Sequence, residues 1–401
     1  ETMVVVACDL IGVPLAFTER IRAIVQRQTG LPQDRLMICC SHTHSGPAVR
    51  SYSGWGEFDA PYCETLPARI AQAAIRALAD LSEGTFQYGE APCEGIGLNR
   101  EYDKDAPPLE DVLKETWRPA KPELTDTVCR VLTVRNPQGQ LRGFVSYFGC
   151  HPVTCCAATR YIHGDYCGVA TNLLERENPG STGLFIQGAQ GDVNTCVVHK
   201  PEQESLLALD IIAGRYANAV RRGMNTATPM PVDCLKTTRQ RIAFSRKPWG
   251  AEELRRRLTV CEEFLSRLDA HDDFAEGNRN IRMETVYAVA LRKMLARAER
   301  GENLADETEV MGLRLGALAL LGSGFETMQA IKNEILAGAR GPHTWVTGLT
   351  NDSVGYAPDR TVAARGGYAA DMVPLIVGTL PYARIHDELV AALLGLDRAL
   401  A

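Results

Sequence analysis

The sequence lacks several features that would assign it to a class at once. No apolar run approaches the roughly 18 residues of a membrane-spanning helix, so we expect no transmembrane segment. There is no long basic run and no stripe of basic and aromatic residues, and the net charge is −6. These absences argue against a nucleic-acid partner and against binding to an anionic membrane surface. Internal repeats and low-complexity tracts are also absent, as is usual for a globular protein.

The thirteen cysteines do not form a disulfide pattern. Their number is odd, and two pairs are adjacent, Cys39-Cys40 and Cys155-Cys156. Others lie in apolar, strand-like runs, such as Cys8 and Cys129, whereas the disulfide frameworks of secreted proteins tend to be even and loop-borne. We therefore expect reduced, buried thiols and a cytoplasmic protein. No signal peptide is visible, but the chain begins at Glu1 directly before an apolar run, so a removed leader is compatible with the sequence.

Strand-like and helix-like patterns alternate along the chain. Apolar runs predict strands at residues 3–11, 36–40, 129–135, 141–149, 183–187, 309–321 and 344–349, and apolar periodicity predicts helices at 14–30, 62–81, 165–177, 206–224 and 386–396. This alternation predicts an α/β fold with layered mixed β-sheets and flanking helices, in one domain that covers residues 1–401. Residues 251–303 are predicted to form an inserted helical lobe, which either caps a pocket or forms the interface of a homo-oligomer.

A histidine pair follows the second predicted strand. His42 and His44 come directly after the apolar run 36–40, and Ser45-Gly46-Pro47 then turns the chain. Side chains two apart on an extended segment point the same way, so the two imidazoles can share one metal ion. The end of a strand is also where α/β sites usually lie. A loop with two exposed histidines is the alternative interpretation.

A third histidine, His151, also follows an apolar strand and is fixed by Pro152. Four cysteines lie near it in the sequence, namely Cys150, Cys155, Cys156 and Cys167. Cysteine is a good zinc ligand, but no spacing here forms a CxxC knuckle. We therefore interpret these cysteines as small buried hydrophobic residues that line the site.

Three further strand ends carry unusual turns. The glycine-rich turn 187–194 surrounds Asp192 and Asn194 with small residues, which predicts backbone brought close to a substrate, although a plain surface turn is a serious alternative. It is not a phosphate loop, because GxxxxGK[ST] is absent. The turns 322–327 and 348–356 contain Glu326 and Tyr356. Four strand ends thus carry two histidines, His42 and His151, with Glu326 and Tyr356. This set suits a catalytic zinc, which takes about three nitrogen or oxygen ligands.

Together these segments resemble the neutral (alkaline) ceramidase family in its catalytic domain. The most specific part is the heptapeptide 41–47, SHTHSGP, and the similarity spans nearly the whole chain. The other matching segments follow in the family's order: Asn99-Arg100, His151-Pro152, Gly191-Asp192-Val193, and Gly348-Leu349-Thr350-Asn351 with Tyr356. The resemblance implies the ceramidase catalytic-domain fold, a Zn²⁺ cofactor and hydrolysis of an amide.

The resemblance also implies the metal ligands. His42 and His151 match the family's histidine ligands, and Tyr356 matches its tyrosine ligand. Glu326 is the acid nearest to the family's glutamate ligand. In the family that glutamate directly follows a glycine, whereas Phe325 intervenes here.

Further roles concern the substrate. His44 and Arg100 match residues that face the scissile amide in the family, and three residues of the matching segments are predicted to bind substrate: Asn99, Gly191 and Asp192. We expect His44 to act as general base, and Arg100 with Asn194 to orient a carbonyl and stabilise charge on its oxygen. Asp165 and Asp192 are candidates to accept the second N–H of the metal-bound histidines.

Two departures from the family point away from ceramide. Asn194 stands where ceramidases carry a serine that takes part in hydrolysis, and Thr195-Cys196 follows instead of Pro-Asn. The chain also ends near the last helix of the catalytic domain, without sequence for the β-sandwich domain of ceramidases. We therefore expect a zinc-dependent hydrolase for a small or polar amide, ester or sugar-like substrate. The alternatives are an N-acyl amide hydrolase for a lipid, a zinc-dependent glycosidase or lyase, and a non-catalytic binding relative.

Overall fold

A computed structural model describes residues 1–103, 107–156, 158–267 and 280–401 of the chain. Strands and helices alternate along it, as predicted. The strands of the described residues are β1 (Val4–Cys8), β2 (Leu36–Cys40), β3 (Thr85–Pro92), β4 (Gly97–Asn99), β5 (Val128–Arg135), β6 (Leu141–Phe148), β7 (Thr182–Gln187), β8 (Val193–Thr195), β9 (Thr228–Pro229), β10 (Leu235–Ile242), β11 (Thr308–Leu315), β12 (Leu318–Ser323), β13 (Glu326–Thr327), β14 (His343–Thr347) and β15 (Tyr356–Ala357).

The helices surround these strands. Those of the described residues are α1 (Leu15–Thr29), α2 (Ala60–Ala79), α3 (Leu109–Val112), α4 (Asp165–Glu177), α5 (Glu202–Thr226), α6 (Ala251–Leu265), α7 (Ile281–Glu299), α8 (Gln329–Gly338), α9 (Arg360–Arg365), α10 (Val373–Val377) and α11 (Ile385–Leu400). None of them combines the length and the apolar composition needed to cross a bilayer.

The two larger sheets pack face to face. One has the strand order β7-β6-β5-β3-β9 and the other β10-β11-β12-β14, and both mix parallel with antiparallel pairs. Apolar side chains from both meet between them, where Tyr147 and Trp345 stack with ring centroids 5.1 Å apart. Helices α4 and α5 cover the outer face of the first sheet, and α8 and α11 cover that of the second. This layering confirms the predicted fold class.

The parallel pair β1-β2 forms a third, smaller sheet, covered by α1 and α2. All five residues of β2 are buried, which explains why its sequence is continuously apolar rather than alternating. Helix α1 ends at Gly30, whose φ of 77° is the left-handed conformation that favours glycine at a helix end. Strand β2 leads directly into the histidine segment 41–47.

The predicted lobe at 251–303 contains two packed helices, α6 and α7. Their apolar faces meet around Leu254 and Leu291, and they rest on Leu375 and Ile376 of α10. Residues 268–279 of the predicted lobe lie outside the described residues. That the lobe is an insertion in a single domain stays a prediction.

Several predicted elements differ from the observed ones. The single strand predicted at 309–321 is in fact the antiparallel pair β11 and β12, because Gly316, with a φ of 55°, turns the chain. Strands β3 and β10 and helix α8 were not predicted. The thiols are as expected: all thirteen cysteines are free, and all but Cys8, Cys156 and Cys234 are buried.

Candidate metal centre

His42 reaches the site through an irregular backbone rather than an extended one. Its N–H donates to the carbonyl of Leu10, and its φ of 68° lies in the left-handed region. Non-glycine residues in this region are strained, and such strain concentrates at functional sites. The segment is therefore not extended at His42, and the prediction that the side chains of His42 and His44 point the same way along an extended segment was wrong. Their rings nevertheless meet, with the Nε2 atoms 3.4 Å apart.

His151 is fully buried at the end of β6. Its N–H donates to the carbonyl of Val193, and residue 151 also forms an isolated bridge with Asn194. The ring Nδ1 lies 2.6 Å from the carbonyl oxygen of Gln190. The turn 187–194 therefore fixes both the backbone and the ring of this histidine.

Glu326 and Tyr356 come from two short strands that pair in parallel. Strand β13 pairs with β15 so that Glu326 and Tyr356 are direct partners, and partners in this register project to the same face. Phe325, the residue that intervenes between Gly324 and Glu326, is fully buried among apolar side chains. The extra residue thus points into the core, and the carboxylate of Glu326 still reaches the histidines.

Two imidazoles converge on a single carboxylate oxygen. Oε2 of Glu326 lies 3.2 Å from Nε2 of His42 and 3.0 Å from Nε2 of His151. Single ligand atoms of His42, His44 and His151 all lie within 4.8 Å of one another, the spacing of a candidate metal site. The structure thus brings together all three histidines and the glutamate that the sequence nominated.

The hydrogen bonds of the two buried histidines fit a bound cation. A carbonyl oxygen can only accept, so the contacts of Nδ1 with Ile11 at 2.5 Å and with Gln190 at 2.6 Å place the ring protons on Nδ1. Burial lowers the pKa of His151 to about 4, which keeps this ring neutral near pH 7. Its Nε2 lone pair then faces a carboxylate oxygen at hydrogen-bond distance. The Nε2 lone pair of His151 and the oxygen of Glu326 are both acceptors and repel each other. A cation bound between them would be coordinated by both atoms.

His44 differs from its two neighbours because its side chain is exposed. Its N–H donates to the carbonyl of Pro152, and the ring lies edge-on to His42 with centroids 4.9 Å apart. Although residue 44 is exposed as a whole, its ring lies against those of His42 and His151. Burial, together with His42 and His151, lowers the pKa of His44 well below its usual value. His44 therefore sits where a neutral imidazole can meet both a metal ion and an incoming molecule.

Arg100 joins the glycine-rich turn to Tyr356. Its Nη2 donates to the carbonyl of Gly191 at 2.8 Å, and its Nη1 donates to Oδ1 of Asn194 at 3.3 Å. The guanidinium carbon also lies 5.1 Å from the ring centroid of Tyr356. Oδ1 of Asn194 accepts from Arg100, and the NH₂ group of the same side chain is a hydrogen-bond donor.

The three residues predicted to bind substrate lie beneath the site. Asn99 and Asp192 are about 1% exposed, and the amide of Asn99 donates to the carboxylate of Asp192 at 2.9 Å. The N–H of Gln329 donates to the other oxygen of Asp192. An added Cβ at Gly191 would lie only 2.5 Å from the carbonyl oxygen of Glu326, so glycine is required by close backbone packing. In this structure Asn99, Gly191 and Asp192 contact residues that support the metal centre. That these three residues bind substrate stays a prediction.

Two further predictions concern the acceptors of the histidine N–H groups and the cysteines near His151. Asp165 and Asp192 do not accept from the histidines: backbone carbonyls do, while Asp165 accepts from the N–H of Cys155. Of the four cysteines near His151, Cys150, Cys155 and Cys167 belong to the apolar core, as expected, whereas Cys156 is only partly buried and was wrongly interpreted as a core residue. The sequence could not show that carbonyls, rather than Asp165 and Asp192, accept the ring protons, because every residue carries a backbone carbonyl.

Sequence reasoning missed Tyr368 and the cavity beside it. The ring of Tyr368 lies 6.0 Å from that of Tyr356, and a cavity of about 400 Å³ is lined by Tyr368, Arg100 and Arg365, among others. The available signal was Gly366-Gly367 directly before Tyr368, since both glycines have positive φ. A larger cavity of about 800 Å³ lies between the two large sheets, and none of the site residues lines it.

Comparison with known proteins gives one family and two similar structures. The family described as neutral/alkaline non-lysosomal ceramidase, N-terminal, matches residues 1–205. A crystal structure of neutral ceramidase from Pseudomonas aeruginosa superposes with a TM-score of 0.72 at 20% identity, over 99% of this chain and 66% of that one. A ceramidase complexed with C2 gives a TM-score of 0.73 at 18% identity, over 99% and 67%. The present chain thus spans about two thirds of the length of each. No curated protein sequence gives a significant match.

Proposed function

The chain belongs to the neutral/alkaline non-lysosomal ceramidase family, and on this premise we propose that it is a zinc-dependent hydrolase that cleaves an amide or an ester. The proposal depends on one observation. Two imidazole Nε2 atoms converge on one oxygen of Glu326, at 3.2 and 3.0 Å, while their Nδ1 atoms face carbonyl oxygens. Two histidines and one carboxylate form a ligand set that catalytic zinc uses.

His42, His151 and Glu326 would hold the zinc ion, with Tyr356 as a fourth ligand from the strand paired with that of Glu326. When bound, zinc supplies Lewis acidity and lowers the pKa of water to about 7. The carbonyls of Ile11 and Gln190 hold the two rings in the tautomer that leaves Nε2 available. The protein therefore presents a prearranged set of ligands, and the exposed side of the site is left to the substrate.

The remaining residues act on protons and on the substrate carbonyl. His44 is exposed beside the ligands, and in the proposed reaction its imidazole accepts a proton from water and returns it to the leaving group. Asn194 donates from its NH₂ group to the carbonyl oxygen as negative charge develops there. Arg100 fixes the orientation of that amide through Oδ1 and adds positive charge.

A small or polar substrate is the version of this function that the site favours. The cavity beside Tyr368 is about 400 Å³ in volume, and its charged lining residues are Arg100, Arg365 and Glu101, which pairs with Arg365. Asn194 cannot act as a nucleophile, unlike the serine at this position in ceramidases. A polar acyl group therefore suits the pocket, and the attacking oxygen must come from water.

A lipid amide is a second candidate, and one surface feature favours it. Tyr161 and Ile162 are 63% and 79% exposed. They precede His163, whose carbonyl accepts from Thr43 and whose N–H donates to Ser45. Two exposed apolar side chains therefore lie close to the histidine segment, where an acyl chain could rest.

Metal analysis of purified variants tests the proposed function. We expect about one zinc ion per chain in the wild type, and strongly reduced zinc in His151→Ala and Glu326→Gln, because each removes a ligand. His386→Ala is a matched control, since His386 is also buried and bonds a glutamate, Glu334, at 2.9 Å, but lies outside the site. Zinc in His151→Ala at the level of His386→Ala would contradict the ligand assignment.

A substrate panel then separates the two candidates. Short N-acyl amino acids, simple esters and lactones, glycosides and a ceramide in detergent micelles are offered to the zinc-loaded wild type. Hydrolysis of the short amides or esters supports the polar version, and hydrolysis of ceramide alone supports the lipid version. Cleavage of glycosides alone, or of nothing despite full zinc occupancy, would reject the proposed reaction in favour of another class or of a binding protein.

A further inference from the structure

A thiol and an imidazole lie together outside the metal-binding residues. Sγ of Cys156 is 3.5 Å from Nδ1 of His199, within hydrogen-bond distance for sulfur. Of the thirteen cysteines, Cys8, Cys156 and Cys234 are partly buried, and the other ten are buried. Burial raises the pKa of Cys8 to about 12, so that thiol stays protonated near neutral pH. The thiol of Cys234 donates to the carbonyl of Gly316 at 3.9 Å and has no imidazole partner among the contacts of the described residues.

His199 is suited to activate Cys156. It is exposed, and the hydrogen bond with Cys156 raises the pKa of His199, which means that the charged imidazolium is favoured beside the sulfur. The same pairing favours the thiolate, the form of cysteine that reacts. The φ of His199 is 57°, so the backbone holds this side chain in a left-handed conformation that few non-glycine residues adopt.

The pair lies next to the metal centre. Cys156 is in the loop after His151, and the carbonyl of the preceding Cys155 accepts from the hydroxyl of Ser45, the neighbour of His44. His199 follows β8, the strand that carries Asn194, and the side chain of Asn194 accepts from Arg100 at the site. A group attached to Cys156 would therefore add bulk at the edge of the site.

We propose that Cys156, paired with His199, is a reactive thiol that forms mixed disulfides with small soluble disulfides and thereby restricts access to the metal centre. The Cys156 thiolate attacks one sulfur of the disulfide, a new S–S bond forms, and the original S–S bond breaks. The other half leaves as a thiolate and takes a proton from the His199 imidazolium. No further oxidant is needed, and a dithiol reductant reverses the reaction. The effect on access rests on the proposed hydrolase function, whereas the reactivity of Cys156 does not.

Adduct formation is followed by intact mass and peptide mapping of the whole protein with bis(2-hydroxyethyl) disulfide. We expect the first adduct at Cys156, no such adduct in Cys156→Ser, and about tenfold slower formation in His199→Asn, because loss of the imidazolium lowers the thiolate fraction. Asparagine is chosen because it tolerates positive φ. Cys8→Ser and Cys234→Ser are matched controls and should react like the wild type. A first adduct on Cys8 or Cys234, or an unchanged rate in His199→Asn, would overturn the proposal.

Hydrolysis is measured on the same samples before and after modification. We expect turnover to fall at least severalfold in the modified wild type, to recover with dithiothreitol, and to stay constant in treated Cys156→Ser. Full turnover with Cys156 completely modified would refute the restriction of access. If the unmodified protein has no activity on any substrate, the proposed function fails, while the site and rate of adduct formation still decide whether Cys156 is the reactive thiol.

Discussion

Replacement of Gly191 by alanine should weaken metal binding without touching a ligand. The added Cβ would lie 2.5 Å from the carbonyl oxygen of Glu326 and 3.0 Å from the carbonyl carbons of Glu326 and Thr327. Both sides of this contact are backbone, so no side chain can rotate away. The two segments must separate by roughly 1 Å to reach ordinary van der Waals distance.

A shift of this size exceeds what a metal site tolerates. Ligand distances in metal sites hold to about 0.2 Å, and Glu326 supplies the oxygen that both histidines approach. We expect a loss of about 10–100-fold in zinc affinity, the effect typical of disturbing the groups that support metal ligands. Overpacking should also cost about 1–3 kcal/mol of the free energy of unfolding of the metal-free protein.

The assays are competition with a fluorescent zinc chelator and urea unfolding of the metal-free protein. Gly214→Ala is the matched control, because Gly214 lies in α5 with no atom within 4 Å of an added Cβ. Glycine to alanine within a helix should stabilise that variant by about 0.5–1 kcal/mol and leave zinc affinity unchanged. If Gly191→Ala binds zinc as tightly as Gly214→Ala, the backbone contact does not position Glu326 and the reasoning is wrong.

Three other predictions follow from the same contacts. His44→Ala should retain zinc and lose about 10²–10⁴-fold in turnover, as for a general base. His42→Ala should lose zinc. If elemental analysis shows that both variants lose zinc, His44 is a ligand. Removal of zinc by a chelator should lower the melting temperature, since zinc at 100 times its dissociation constant adds about 2.7 kcal/mol to stability; equal melting curves would contradict this. Burial raises the pKa of Asp192 from 3.8 to about 6, so the folded state holds its proton more tightly than the unfolded state. The free energy of unfolding of the wild type, relative to Asp192→Asn, should therefore fall as the pH rises from 3.8 to about 6, and a constant difference would reject the raised pKa.

Strands that are buried on both faces could be predicted from the sequence, and those with polar faces could not. β2 is a continuous apolar run with every residue buried, and its bounds were predicted. β10, with the sequence LKTTRQRI, has no buried residue and forms an edge of its sheet, so it carries no apolar pattern. β3 contains Gly89 and ends at Pro92, both unfavourable in strands. Helix α5 packs so closely on β3 that an added Cβ at Gly89 would collide with Gly223.

The ligand types of the site were predictable because four strand ends carry them, but their arrangement was not. His42 turns through a left-handed backbone, which a sequence of two alternate histidines does not indicate. The acceptors of the ring N–H groups are carbonyls of Ile11 and Gln190, and a carbonyl is available at every position of a chain. Only the folded backbone determines which two of them face the imidazoles.

Asn194 offers the sharpest test of how this chain differs from its family. Asn194→Asp keeps the size and the oxygen that accepts from Arg100 at 3.3 Å, but it replaces the donating NH₂ group by an oxygen. The variant should fold and bind zinc, because Asn194 is not a ligand. Its kcat/KM should fall by about 100-fold or more, the cost of losing a donor to a developing oxyanion.

Two comparisons complete this test of Asn194. Asn218→Asp, on the exposed side of α5, adds the same charge away from the site and should leave kcat/KM unchanged. Asn194→Ser restores the residue type of ceramidases and a smaller donor, so it should retain more activity than the aspartate variant. If Asn194→Asp turns over substrate as fast as the wild type, the amide does not stabilise the carbonyl oxygen, and Arg100 alone must supply that stabilisation.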